Sequence, residues 1–176
     1  MINDVLLQFK TFSPRHRKYI IDILIEIIDY YDHSLLGCAV FGSYARGDNR
    51  KNSDLDLLII LKQVPGFSKR VREFVERIEM KHELLAQEIF EKEEILYELS
   101  PYILGTNEAL KMQPIYYDLI ENHIIIYDSV QIISRIIKST KRILVESGAR
   151  KCGAITPGSG RPKRLVLQGG WTCESR

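Results

Sequence analysis

Apolar positions in this chain fall into two rhythms, one of helical spacing and one of short continuous runs. Tyr19, Ile20, Ile23, Leu24, Ile27, Ile28 and Tyr31 recur every three to four residues, the mark of a helix with one buried face. Ser13-Pro14 stands just ahead of them. A hydroxyl can cap the first free N–H groups, and proline at the first helical position loses nothing by lacking its own. Ile21 and Ile25 widen the stripe, so the helix is expected to be covered on more than one face. Residues 35–41, LLGCAVF, read as a buried strand, and 54–61, DLDLLIIL, as a second. The polar stretch GSYARGDNRKNS between them reads as a loop with a turn of helix. Pro65-Gly66 marks a turn, after which Ser68 is expected to cap one long helix carrying Val71, Phe74, Val75, Ile78, Leu85 and Ile89. Residues 95–104, ILYELSPYIL, predict a third strand, interrupted or at an edge because Pro101 cannot donate to a ladder. Short helices are expected over 106–111 and from Pro114 to near Asn122, and a brief strand over 124–127. Ser129 is expected to cap a last helix through Ile132, Ile133, Ile136, Ile137, Ile143 and Leu144, with Gly148 ending it. Strands alternating with helices predict an α/β (α+β) fold, a small mixed β-sheet flanked by helices.

Composition changes this picture little until the end of the chain. The 176 residues are 45% apolar and 27% charged, an ordinary globular mixture sized for one core. No apolar run approaches the ~18 residues a membrane helix needs. The start, MINDVLLQFKTF, has neither a basic region nor a cleavage site of small residues, so no signal peptide is expected. Cys38, Cys152 and Cys173 are too few and too scattered for a disulfide framework or a zinc site, which suits a cytoplasmic protein. The net charge of +2 does not indicate a nucleic-acid partner. Residues 148–176 carry six Lys and Arg against Glu174, a local +5, so residues 1–147 carry −3. Six of the eleven glycines also lie there. The expected organisation is a domain over 1–147 and a basic, Gly-rich C-terminal tail over 148–176.

Chemistry concentrates between Gly42 and Asp56. Gly42-Ser43 directly follows an apolar strand. Glycine lets backbone approach a ligand closely, and a helical turn starting there would aim free N–H groups at an anion. The next strand opens Asp54-Leu55-Asp56. Strand side chains alternate, so the two aspartates share a face while Leu55, Leu57, Ile59 and Leu61 take the other. Leu58 and Ile60 continue the aspartates' own face, which turns apolar beyond the strand's start. Two like charges beside a buried strand repel and are desolvated. A divalent cation removes that cost, and Mg²⁺ accepts oxygen ligands while leaving room for water and phosphate.

Gly42-Ser43-Tyr44-Ala45-Arg46-Gly47 followed by Ser53-Asp54-Leu55-Asp56-Leu57 resembles the signature of the DNA polymerase β-type nucleotidyltransferase superfamily. It is most similar to the minimal nucleotidyltransferases, whose pattern is G-S-x-A-R-G, a polar spacer, then S-D-x-D-[LIV]. The resemblance implies transfer of a nucleoside monophosphate, AMP from ATP, to an acceptor hydroxyl with release of pyrophosphate. It implies that Gly42 and Ser43 contact the β- and γ-phosphates, that Asp54 and Asp56 bind Mg²⁺ in a two-metal site, and that Arg46 braces the loop or meets phosphate. Ser53 is expected to support the loop backbone. An alternative implied by the same family is a nucleotidyltransferase-like antitoxin acting through a helical HEPN-type partner.

Active members usually carry a third carboxylate on a neighbouring strand. Glu98, an acid inside an apolar stretch, is the expected third catalytic and metal-binding residue, with Asp118 as its competitor. His16, His33, His82 and His123 are scattered and read as surface or boundary residues. Lys69, Arg70 and Arg72 read as a solvated helix face, and Tyr116, Tyr117 and Tyr127 as core or interface aromatics. The isoleucine-rich helices carry enough apolar surface for a second subunit or a helical partner to cover.

Overall fold

The computed structural model describes residues 8–96 and 98–147, and the backbone of two short strands beyond them. Helix α1 spans Pro14–Tyr31, with the Ser13 hydroxyl accepting the His16 amide at 3.0 Å. Strand β1 is Leu35–Val40, and a five-residue helix α2, Gly42–Arg46, leads through the polar loop to β2, Leu55–Leu61. Helices α3, Phe67–Arg77, and α4, Glu83–Glu93, precede β3, Leu99–Gly105. Two one-turn helices follow, α5 at Thr106–Ala109 and α6 at Tyr116–Leu119. Strand β4, Ile124–Asp128, and helix α7, Ile132–Glu146, complete the main body. Strands β5, Arg150–Lys151, and β6, Leu165–Val166, pair only with each other.

The main sheet runs β3-β2-β1-β4, with β1 antiparallel to both neighbours and β2 parallel to β3. It is therefore mixed, and β3 takes the edge that Pro101 requires. Its two faces bury separate apolar clusters. Leu55, Leu57, Ile59 and Leu61 pack with α1, Phe74, Ile78 and Ile89 on one side. Leu58 and Ile60 pack with Tyr116, Leu119, Ile133 and Ile136 on the other. The alternation read from the sequence thus divides the two layers correctly.

Three expectations are corrected. The single long helix after Gly66 is two, because Ile78 leaves helical geometry at φ −120° and a 3₁₀ turn over Glu79–His82 separates them. An unbroken helix over 67–93 would run ~40 Å, well past the ~23 Å of the strand it covers. The break lets Phe74, Ile78 and Ile89 share one layer. Ser68 is not a cap; it lies in the first turn of α3, which Gly66 precedes. Helix α7 is capped by Asp128, not Ser129. The Asp128 carboxylate accepts the Ile133 and Ser134 amides at 3.1 and 3.0 Å, where negative charge also suits the helix dipole. Gly148 and the other two cysteines lie outside the described residues, while Cys38 is buried and free. Among the described residues no helix is long and apolar enough to cross a membrane.

Candidate active site

One end of the sheet gathers the end of β1 and the starts of β2, β3 and β4, since Val40 pairs with Leu57 and Ile124, and Leu55 with Leu99. The polar loop leaves and re-enters the sheet there. The Phe41 amide donates to the Asp56 carbonyl at 3.1 Å, which pins the loop's start to the acidic strand. Gly42 then turns with φ +66°. A Cβ at Gly42 would fall 2.0 Å from the Asp56 Oδ2. Only a residue without a side chain lets that carboxylate sit against the backbone that opens α2.

Asp56 is half-buried, and its carboxyl is pushed up to about 6, first by burial and then by the charge of Asp54. Asp118 raises it further, while Arg46 and a hydrogen bond from Ser100 pull it down. Asp54, which lies just ahead of β2 rather than within it, is thus close enough for its charge to act on Asp56. Arg46 bonds Asp48 through Nε at 3.2 Å, so it braces the loop and counters Asp56 at once. Ser53 supports the loop backbone: its Oγ accepts the Arg50 amide at 2.8 Å and its own amide donates to the Arg50 carbonyl.

Glu98 and Asp118 part company. Glu98 precedes β3, is exposed, and offers its carbonyl to the Leu55 amide. Its charge acts on Glu79 in the 3₁₀ turn. The strand position opposite Asp56 belongs to Ser100. Asp118 lies on α6, in the helical layer that the Asp56 face packs against, and its charge reaches Asp56.

Asp56 is joined by oxygen donors: the neighbouring Asp54 carboxylate, the Asp118 carboxylate acting from α6, and the Ser100 hydroxyl. Such a set suits a hard cation like Mg²⁺. Among the described residues, no group of three His, Cys, Asp or Glu side chains is placed to hold a metal alone. Ligands from a bound phosphate would complete the shell, as Mg²⁺ sites commonly require.

Two side chains depart from their sequence reading. His16 is fully buried, not a boundary residue, and Arg70 is buried in an ion pair with Glu108. His16 was legible: it sits four and seven residues before Ile20 and Ile23, on the same helical stripe. Asn49, also fully buried, carried no such signal.

The Nucleotidyltransferase domain family matches residues 21–144. MJ0141 of Methanocaldococcus jannaschii, a candidate protein adenylyltransferase, is 34% identical over 76 residues, or 42% of this chain and 73% of its own. Among solved structures, spectinomycin adenyltransferase AAD(9) from Enterococcus faecialis, with ATP and spectinomycin, aligns at TM-score 0.49 and 14% identity, over 73% of this chain and 67% of that one. A chain from the complex of tri-AMPylated Shewanella oneidensis HEPN toxin with MNT antitoxin aligns at TM-score 0.39 and 12% identity, over 74% and 92%. The family match includes the whole segment from Gly42 to Asp56 and most of both core layers, and the chain belongs to the nucleotidyltransferase domain family, enzymes of nucleotidyl transfer.

Proposed function

We propose that this chain transfers AMP from ATP to an acceptor hydroxyl, releasing pyrophosphate, with Mg²⁺ held by Asp54 and Asp56. The observation that carries the reading is the Asp56 carboxylate lodged against Gly42 at the head of the loop, beside Asp54. Carboxylate and phosphate-binding backbone are thereby held side by side. Adenine as the base follows the relative in Methanocaldococcus jannaschii, which is named for adenylyl transfer.

The roles follow from position. Backbone N–H groups at the start of α2 would receive the β- and γ-phosphates beside Gly42 and Ser43, since the first N–H groups of a helix lack partners within it. Arg46, already facing the Asp56 charge, adds a cation at the loop's end. Ser53 keeps the loop's return to β2 closed. Asp118, rather than Glu98, is the third carboxylate, because it acts on Asp56 from the layer Asp56 faces. When bound, Mg²⁺ supplies charge neutralisation at the triphosphate and lowers the pKa of the attacking hydroxyl. The protein's own share is positioning: the loop fixes phosphate against the acids so that the acceptor meets the α-phosphorus in line.

The test is release of pyrophosphate and labelled AMP from α-labelled ATP and Mg²⁺, with water as the default acceptor. Release should fall by at least ~100-fold in Asp54→Ala, in Asp56→Ala and with chelator. Glu98→Gln should leave it within ~3-fold, and Asp118→Asn should lower it at least ~10-fold. Release that survives Asp56→Ala overturns the reading.

A further inference from the structure

The segment before α1 and the first turn of α1 are fastened to the loop after β1 at three places. Phe9 meets the Tyr44 ring edge-on, with centroids 6.5 Å apart. Lys10 and Asn49 exchange two bonds: Lys10 Nζ donates to the Asn49 carbonyl at 3.0 Å, and Asn49 Nδ2 donates to the Lys10 carbonyl at 3.1 Å. His16 Nε2 lies 3.2 Å from the Tyr44 hydroxyl. Tyr44 is 2% exposed, and His16 and Asn49 are 0% exposed.

The hydrogen-bond direction at His16 is set from its other nitrogen. The Phe12 amide donates to His16 Nδ1 at 3.1 Å, so the single proton of the neutral ring sits on Nε2 and is donated to Tyr44. Phe12 also stacks on the imidazole at 5.3 Å, which fixes the ring plane. Burial lowers the His16 pKa to about 4, so the ring is neutral throughout the physiological range. The buried Asn49 side chain also lies close enough to pull the Tyr44 pKa down against the rise from burial. Its backbone belongs to α2, two residues from the Gly42 that abuts Asp56.

We propose that His16 and Tyr44 are positioning residues for nucleotidyl transfer, a buried latch that holds α2 at the spacing from Asp56 at which the loop receives the triphosphate. Tyr44 occupies the one position that the G-S-x-A-R-G pattern leaves open, and His16 lies outside the motif. The latch therefore recruits a residue 28 positions away to set the loop. It rests on the transfer reading above and assigns no group that touches substrate.

The experiment measures kcat and KM for MgATP by pyrophosphate release, for the parent, Asp56→Asn, Tyr44→Phe, His16→Leu and His16→Gln. Tyr44→Phe removes one hydroxyl and keeps the ring, so it remains informative should His16→Leu fail to fold. The latch predicts kcat lowered ~10- to 100-fold in Tyr44→Phe and His16→Leu, with KM within ~3-fold. The two substitutions together should cost no more than either alone, because they break one bond. Glutamine can accept from the Phe12 amide and donate to Tyr44, so His16→Gln should recover most of kcat. A purely structural role would lower the melting temperature and leave kcat in place, and that result overturns the proposal while Asp56→Asn remains dead. A parent with no Asp56-dependent release overturns the transfer reading and the latch with it.

Discussion

Asp56 holds its proton more tightly in the folded chain than an ordinary aspartate, at about 6 against 3.8, because burial and the Asp54 charge disfavour its ionised form. The folded state therefore binds the extra proton between about pH 4 and 6, and stability falls as pH rises across that window. Screening at a half-buried site reduces the effect to on the order of 1 kcal/mol. Asp56→Asn removes the charge and should melt ~2–4 °C above the parent at pH 7 without metal, and level with it near pH 4. Calorimetry at the two pH values measures the difference, and equal melting at both denies the coupling. Gly42→Ala tests the same contact from the backbone side. A φ of +66° costs alanine ~1–2 kcal/mol, and its Cβ would displace the Asp56 carboxylate. Transfer should fall ~100-fold while the sheet's circular dichroism persists. At this scale the sequence was most informative about placement: the spacing of Gly42, Asp54 and Asp56 anticipated that the three come together. Sequence alone left the choice between Glu98 and Asp118 open, because the two differ in which layer the chain carries them to, and the proposed choice of Asp118 rests on its action on Asp56.

Elements announced themselves where a local signal existed. Ser13-Pro14 begins α1 as their chemistry dictates, and Pro101 keeps β3 at the edge. The break between α3 and α4 had no glycine or proline to mark it; it follows from the length of the strand beneath. The cap of α7 fell to Asp128 because a carboxylate three residues before the N-cap Gln131 reaches two amides that Ser129 does not. Arg70, read as solvated, instead joins α3 to the β3–α5 corner. Its two nitrogens meet Glu108 at 2.5 and 3.1 Å, and Glu108 also accepts the Gly105 amide at 2.9 Å. Glu108→Ala leaves a buried guanidinium without its partner and should cost ~2 kcal/mol, or ~4–8 °C of melting temperature. Replacing Arg70 by Met in the same chain should restore most of the loss, since the cost lies in the stranded charge. Denaturant melts of the single and double variants decide it; a double variant as weak as the single places the cost in packing instead.

On the scale of the whole molecule, strand order was the least legible feature. Pairing β1 with β4 joins residues 84 to 91 positions apart, and hydrophobic period says which face is buried, not which neighbour is chosen. Charge is the property of the whole that bears most directly on the site. The stretch over 148–176 carries +5 of that charge, against −3 for residues 1–147. A chain ending at Ser147 would change from +2 to −3, and on the proposed transfer reading a site with Asp54, Asp56 and Asp118 has to admit a polyanion. Its melting temperature is expected to stay within ~2 °C of the full chain. Its KM for MgATP should rise ~3-fold at ~0.01 M salt, where fields reach ~30 Å, and converge with the full chain by ~0.3 M, where they do not. Convergence would make the tail a long-range field. A deficit that persists at high salt would mean that its cations touch the nucleotide, and the charge argument would fail.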